Sequence, residues 1–332
     1  MRPGPNNLIT DVAGLRVGNA DDATVRTGVT VLLADRPAIA AVDIRGGAPG
    51  TRGTAALGLD TLVDRADAVV LSGGSEFGLD APGAVVAALA TQGRGFVYGG
   101  QHVPIVPGAI LFDLLNGGDK DWGEAPPYRD LAREALGQVG ETFALGNAGA
   151  GYGATAGPLK GGLGSASVFD PDTGYTVGAL VGVNSHGGTV VPGTDCFWAA
   201  PFSMDNELGN QAFPQQPIDQ TADLDSPSGN ATNTVIAIVA TDATLTGPQA
   251  QRVAIMAQDG LARAVRPAHT PYDGDVVFAL STERLDLSAP AEAAVSRLGA
   301  MAADTLARAI ARGVYKAEDM APFQSYRSVH GR

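Results

Sequence analysis

The sequence predicts an α/β domain, and three observations carry that prediction: short apolar runs closed by Gly, Asp or Asn, segments of helical period alternating with them, and glycine scattered as turn punctuation. Of 332 residues, 45% are apolar, 17% are charged and 45 are glycine, so the chain can bury a full core in one large domain or two smaller ones. The glycines concentrate before position 190 without a regular repeat, which reads as many strands joined by tight turns.

Taken in order, VTVLLA (29 to 34), AIAAVDI (38 to 44) and DAVVLSG (67 to 73) are short apolar runs of strand type, as are SASVFD (165 to 170) and YTVGALVGVN (175 to 184). Segments 79 to 92 and 128 to 140 space their apolar residues as helices do. From 203 to 232 the chain turns polar and aperiodic, rich in Pro, Asn, Gln, Asp and Ser, and reads as an exposed loop. A loop of that length inside a compact domain signals a function or a linker, and this one runs directly into the strand TVIAIVATD, 234 to 242. A helix over 247 to 265, a strand over 275 to 282 and a helix over 290 to 314 complete a β-α-β-α unit. A helical crossover makes the two strands parallel, so Asp273 and Asp275 are expected at the sheet edge where Thr234 begins its strand.

Composition excludes several functions. A net charge of −13 leaves no basic footprint for a phosphate backbone, so no nucleic-acid partner is expected. Cys196 is the single cysteine, which rules out an intramolecular disulfide and metal sites built on paired cysteines. No run of about 18 apolar residues and no leader-like amino terminus is present, so the expectation is a cytoplasmic protein with no membrane partner. His102, His186, His269 and His330 lack metal-ligand spacing and read as surface or packing residues; neither metal nor cofactor is expected.

An Asn-Thr pair is by itself an ordinary strand start. Here Asn233 ends the long loop, Thr234 opens a buried strand, and YDGD (272 to 275) is expected at the same edge. If the Thr234 hydroxyl attacks the Asn233 carbonyl, scission leaves a residue that carries nucleophile and base together, because its α-amine has a reference pKa of about 7.7–8.0 and is partly free base near neutrality. Histidine is then unnecessary.

Two other enzyme readings are weaker. GAGYGATAG (149 to 157), with Asp170 and Asp172 beyond it, loosely matches a dinucleotide-binding fingerprint, the mark of an oxidoreductase, but no clear strand and helix flank it. A phosphate-binding P-loop fails because Gly161 follows Lys160. The sequon Asn230-Ala231-Thr232 is read as chance. A non-enzymatic glycine-rich scaffold is the third class, and it predicts a chain that stays whole.

Five stretches carry a resemblance: LSGGSEFGLDAPGAV (71 to 85), GPLKGGLGSAS (157 to 167), LVGVN (180 to 184), NTVIAIVATDATL (233 to 245) and YDGDVVFALST (272 to 282). With the opening NNLITDVAGLRVGN (6 to 19), and in this order over nearly the whole chain, the sequence resembles the DmpA-like family of self-cleaving L-aminopeptidase/D-amino-acid esterase-amidases, which includes β-aminopeptidases and nylon-oligomer hydrolases. The resemblance implies an αββα sandwich with layered mixed sheets, of the architecture shared with ornithine acetyltransferase. It also implies autocleavage into chains 1–233 and 234–332 and a homo-oligomer of cleaved pairs, such as a tetramer of pairs, acting on small peptides or amides. The family nucleophile falls on Thr234, the lysine on Lys160, the asparagine on Asn184 and the acidic positions on Asp273 and Asp275. In those roles Lys160 disfavours protonation of the Thr234 amine, the two carboxylates orient that amine, and Asn184 donates to the oxyanion. Asp273 stands where Ser-nucleophile members often have Ser, which leans towards the nylon-oligomer hydrolases. An acetyl-transferring enzyme of the ornithine acetyltransferase type is the rival within the fold group.

Overall fold

The computed structural model describes residues 1–219, 221 and 233–331. Within the polar stretch before Thr234, residue 220 and residues 222–232, with the whole Asn230 sequon, lie outside the described residues. In chain order the strands are β1 (Leu15–Asp22), β2 (Thr27–Ile44), β3 (Thr51–Arg52), β4 (Arg65–Ser72), the hairpin β5 (Phe96–Tyr98) and β6 (Gln101–Val103), and β7 (Gly108–Ile110). After these come the hairpin β8 (Thr155–Ala156) and β9 (Leu159–Lys160), then β10 (Gly162–Phe169), β11 (Thr176–Asn184), β12 (Thr234–Ala243) and β13 (Val276–Leu285). The long helices are α1 (Ala81–Thr91), α2 (Tyr128–Gly137), α3 (Gly247–Ala264) and α4 (Ala291–Lys316).

The strands hydrogen-bond in the order β10-β11-β12-β13-β2-β4-β7-β3, with β1 also on β2. Two layers arise because β2 serves both. Its first half, Thr27 to Ala34, pairs with β1, while Ile39 to Ile44 pairs with β13. Between them the exposed Asp35-Arg36-Pro37 shifts the register against β4, so one long strand runs where two separate runs were expected.

Side-chain alternation then builds three cores. Along β12, Val235, Ala237 and Val239 face α3 and α4 with Leu261, Leu298 and Leu306. Ile236 and Ile238 point the other way, onto Leu32, Val69 and Leu71 of the second layer. Val29, Val31 and Val70 on the far side of that layer pack against Val85 of α1 and Leu131 of α2. Helix, sheet, sheet, helix follows from strands buried on both faces, and full burial of each such Val, Leu or Ile contributes roughly 1.5–3 kcal/mol. β12 is buried over all ten residues, which is why it reads in the sequence as a continuous apolar run.

Thr246 caps α3 through its hydroxyl, accepting from the Gln249 N–H in a capping box. At Gly260 the helix presses on α4 so closely that a Cβ would stand 2.1 Å from the Ala303 carbonyl oxygen. β12 and β13 are parallel, Ile236 opposite Val276, and β11 runs antiparallel with Asn184 opposite Thr234. Asn184, Thr234 and the Asp273–Asp275 turn therefore meet at one sheet edge.

The described part of the 203–232 stretch is more tethered than a free loop. Glu207 makes ion pairs to Arg308 and Arg312 of α4, and Gln211 accepts from the Phe197 N–H and donates to the Tyr326 hydroxyl. The dinucleotide reading fails on geometry: Gly149–Gly151 is a single 3-10 turn followed by the β8–β9 hairpin, where a strand and a long helix would be needed. Among the described residues, no helix is long and apolar enough to cross a membrane.

Candidate active site

The edge where β12 begins is polar and buried. The Thr234 hydroxyl donates to the carbonyl oxygen of Asn233 at 2.6 Å, and the Gly274 N–H donates to the same oxygen at 3.0 Å. That second donor polarises the carbonyl, and it comes from the turn that starts β13. Gly274 has no substitute there: a Cβ would stand 2.8 Å from the Thr234 hydroxyl and 2.7 Å from the Ala48 carbonyl oxygen.

Asp275 binds the first backbone of the strand, with one carboxylate oxygen accepting from the Val235 N–H at 2.9 Å. Its other oxygen takes the His269 N–H at 3.0 Å and faces the His269 Nδ1 at 2.8 Å. Asp273 accepts from the Thr270 N–H at 2.8 Å and from the His186 N–H at 3.4 Å. Burial pushes the Asp273 carboxyl above its usual range, and the neighbouring Asp275 pushes it further.

Asn184 is beside Thr234, but its side chain is engaged. Its Oδ1 accepts from the Thr155 N–H at 2.9 Å, and this turns its Nδ2 to the Phe112 carbonyl oxygen at 3.0 Å. The donors that reach the Asn233 carbonyl oxygen in this structure are the Thr234 hydroxyl and the Gly274 N–H. Lys160 lies fully buried on β9, its Nζ donating to the Gly151 and Gly161 carbonyl oxygens at 3.1 and 2.9 Å, and neither bond reaches Thr234. Desolvation drives its pKa down to about 7 against the opposing pull of the Asp113 carboxylate. Asp113 is itself buried and pushed up by desolvation, although the Thr27 hydroxyl and the Gly74 N–H hold its oxygens. A cleft lined by Phe112, Asp113, Thr155, Asn184, Asn233 and Phe323 opens beside the Asn233–Thr234 bond.

Thr234, Asn184, Asp273 and Asp275 are thus gathered at one edge, while Lys160 is buried on β9 opposite Thr155, a residue of the cleft. Reading the sequence missed four groups. The Gly274 N–H has no side-chain signature. Asp113 lies in the loop after β7 with no motif around it. His186 and His269, expected as surface or packing residues, both stand at the site, and each carried a positional signal. His186 follows Asn184 by two residues at the expected edge, and His269 precedes Asp275 by six.

Residues 7–327 match the sequence pattern of peptidase family S58. The chain belongs to that family. A relative described as an uncharacterized aminopeptidase of Mycobacterium tuberculosis (strain H37Rv) is 42% identical over 343 residues, covering 97% of this chain and 98% of the relative. One from Mycobacterium leprae is 43% identical over 348 residues, covering 98% and 95%. The 6-aminohexanoate-oligomer endohydrolase of an Agromyces species is 28% identical, covering 86% of this chain and 77% of that enzyme. Among solved structures, the L-aminopeptidase D-Ala-esterase/amidase of Ochrobactrum anthropi, described as a variant of the Ntn-hydrolase fold, superposes with a TM-score of 0.70 at 23% identity, over 99% of this chain and 96% of that one. A β-aminopeptidase of a Burkholderia species gives 0.72, also at 23% identity and over the same shares of the two chains. This S58 protein is thus a peptidase-family amide hydrolase with the amino-terminal-nucleophile hydrolase fold.

Proposed function

We propose that the protein is a self-processing amidase in which Thr234 is nucleophile first toward its own chain and then toward substrate. One observation carries the reading: the Thr234 hydroxyl is 2.6 Å from the Asn233 carbonyl oxygen while the Gly274 N–H holds that oxygen from the turn before β13. The hydroxyl oxygen adds to the Asn233 carbonyl carbon, and the carbon–nitrogen bond to Thr234 breaks. The hydroxyl proton ends on the released amine, and water hydrolyses the ester, leaving an Asn233 carboxylate and a free Thr234 hydroxyl.

The freed amine then takes the hydroxyl proton as the Thr234 oxygen adds to the substrate carbonyl and gives it to the leaving amine as the carbon–nitrogen bond breaks; a second water hydrolyses the acyl ester left on Thr234. Asp273 and Asp275 orient that amine, Lys160 disfavours its protonation, and Asn184 together with the Gly274 N–H holds the substrate carbonyl. The substrates are short peptides, amino-acid amides or amide oligomers; the names of the mycobacterial and 6-aminohexanoate relatives support this class. The products of processing, 1–233 and 234–332, stay associated and assemble as pairs.

Intact-mass measurement with amino-terminal sequencing tests the proposal, because a new terminus at Thr234 is required. Thr234→Ala is expected to leave a single 332-residue chain without amidase activity; a cleaved variant would assign the nucleophile elsewhere. A panel of p-nitroanilides from L-, D- and β-amino acids then ranks the substrates.

A further inference from the structure

We propose that His186 is a positioning residue for self-cleavage, holding the Asn233 side chain so that the carbonyl stays fixed while Thr234 attacks. The inference rests on the processing reading above and adds a residue to it. Besides the Thr234 hydroxyl, three contacts among the described residues hold Asn233. Its N–H donates to the Tyr272 carbonyl at 3.3 Å, its carbonyl oxygen accepts from the Gly274 N–H at 3.0 Å, and its side-chain Nδ2 lies 3.2 Å from the His186 Nδ1. The first two grips come from backbone, so any residue at 233 keeps them. The third depends on two particular side chains.

The chemistry of the pair is specific. An asparagine amide nitrogen only donates, so the His186 ring must accept through Nδ1 and carry its own proton on Nε2. His186 is itself fixed from both sides: its N–H donates to Asp273 at 3.4 Å, and its ring lies 5.7 Å from the Tyr272 ring. One turn, residues 270 to 275, therefore supplies the carbonyl donor, the N–H acceptor and the support of the ring. The cut peptide is the enzyme's first substrate, and its acyl half is what His186 holds. An unfixed acyl half lets the carbonyl carbon drift from the hydroxyl, and loss of such alignment is felt directly in rate.

A double-mutant cycle on the cleavage rate tests this. Full-length chains made by cell-free translation are followed by intact mass as the 234–332 product appears. His186→Ala and Asn233→Ala are each expected to slow cleavage about five- to tenfold, the loss of one hydrogen bond. The double variant is expected to cleave no more slowly than the slower single one. His186→Asn, which returns an acceptor near the Nδ1 position, should recover the rate to within about threefold. His186→Phe keeps a ring against Tyr272 without the acceptor and should behave as His186→Ala does, which separates the hydrogen bond from collapse of the turn. A double variant slowed by the product of the two single effects overturns the role of His186, as does a His186→Phe chain that cleaves at the parental rate. A parental chain that never cleaves overturns instead the assignment of Thr234, so the two failures are told apart.

Discussion

Among the described residues, two of the buried polar clusters are built on opposite terms. At the back, Arg308 gives Glu207 two hydrogen bonds of 2.6 and 3.0 Å and adds bonds to the Ser167 carbonyl and the Asn7 side chain. Arg312 adds a second cation 3.5 Å from Glu207. Although burial pushes Glu207 up, its ion pair with Arg308 outweighs this and holds it below the ordinary range, so the group is locked in its charged form. At the β12 edge and on β9 the terms reverse. Lys160 is buried against neutral carbonyls and falls to about 7, and Asp273 is raised by burial and by a second carboxylate. Matched charges make a rivet, whereas unmatched burial moves Lys160 down and Asp273 up, each toward its neutral form. The rivet also ties the two proposed chains, since Glu207 precedes position 233 and both arginines follow it.

Breaking the rivet gives the largest expected effect. Glu207→Ala leaves Arg308 and Arg312 without their carboxylate, and removing one partner of a buried pair costs about 3–5 kcal/mol. Urea unfolding of the full chain should show that loss, while chains that remain folded still cleave at 233/234. Unchanged stability would mean that the back cluster is held by something other than charge. The same pair should weaken the protein in acid. The Glu207 pKa is depressed, so its contribution is complete above the unfolded carboxylate range and is lost as pH falls through the folded value.

A smaller effect is expected at the site, where Gly274→Ala places a methyl carbon 2.8 Å from the Thr234 hydroxyl and 2.7 Å from the Ala48 carbonyl oxygen. Displacing the Gly274 N–H from the Asn233 carbonyl removes an oxyanion donor, an effect on the order of 10²–10³ in rate. Intact-mass time courses should show cleavage slowed by that factor with the fold retained. Parental cleavage by this variant would point to another donor, Asn184 first.

The comparison also explains what the sequence disclosed. The β12-α3-β13 crossover set Asp273 and Asp275 beside Thr234 because parallel strands joined by a helix start at the same edge, and the all-buried pattern of β12 marked it as central. β1 escaped notice because Gly18, Asn19, Asp21 and Asp22 interrupt its apolar residues, and β2 looked like two strands because Pro37 sits at its register shift. The candidate site was legible only where it is made of side chains on neighbouring strands. The Gly274 N–H is a backbone group with no residue type to announce it. Asp113 and Lys160 approach one another from distant parts of the chain, and no local spacing records a contact made by folding. The rivet was missed for the same reason, since Glu207 lies about a hundred residues from its arginines.

The finest contrast between the clusters is in their response to pH, and Lys160 isolates it. Its folded pKa is depressed to about 7 from 10.5, so between those values the unfolded chain binds a proton that the folded chain does not. Stability must therefore rise with pH across that window, by at most about 1.4 kcal/mol per pH unit for one proton, the opposite sense from a lysine that gains a partner. Lys160→Met fills the same space without a charge. Urea unfolding at pH 7, 8 and 9 should give a variant whose stability exceeds the parent's most at pH 7, with the gap closing by about 1 kcal/mol per unit. The parent-minus-variant difference cancels every other titrating group, so a gap that stays constant would show Lys160 to be charged in the folded protein throughout. It would then be a paired cation like Arg308, and the distinction between the two clusters would not hold at that residue.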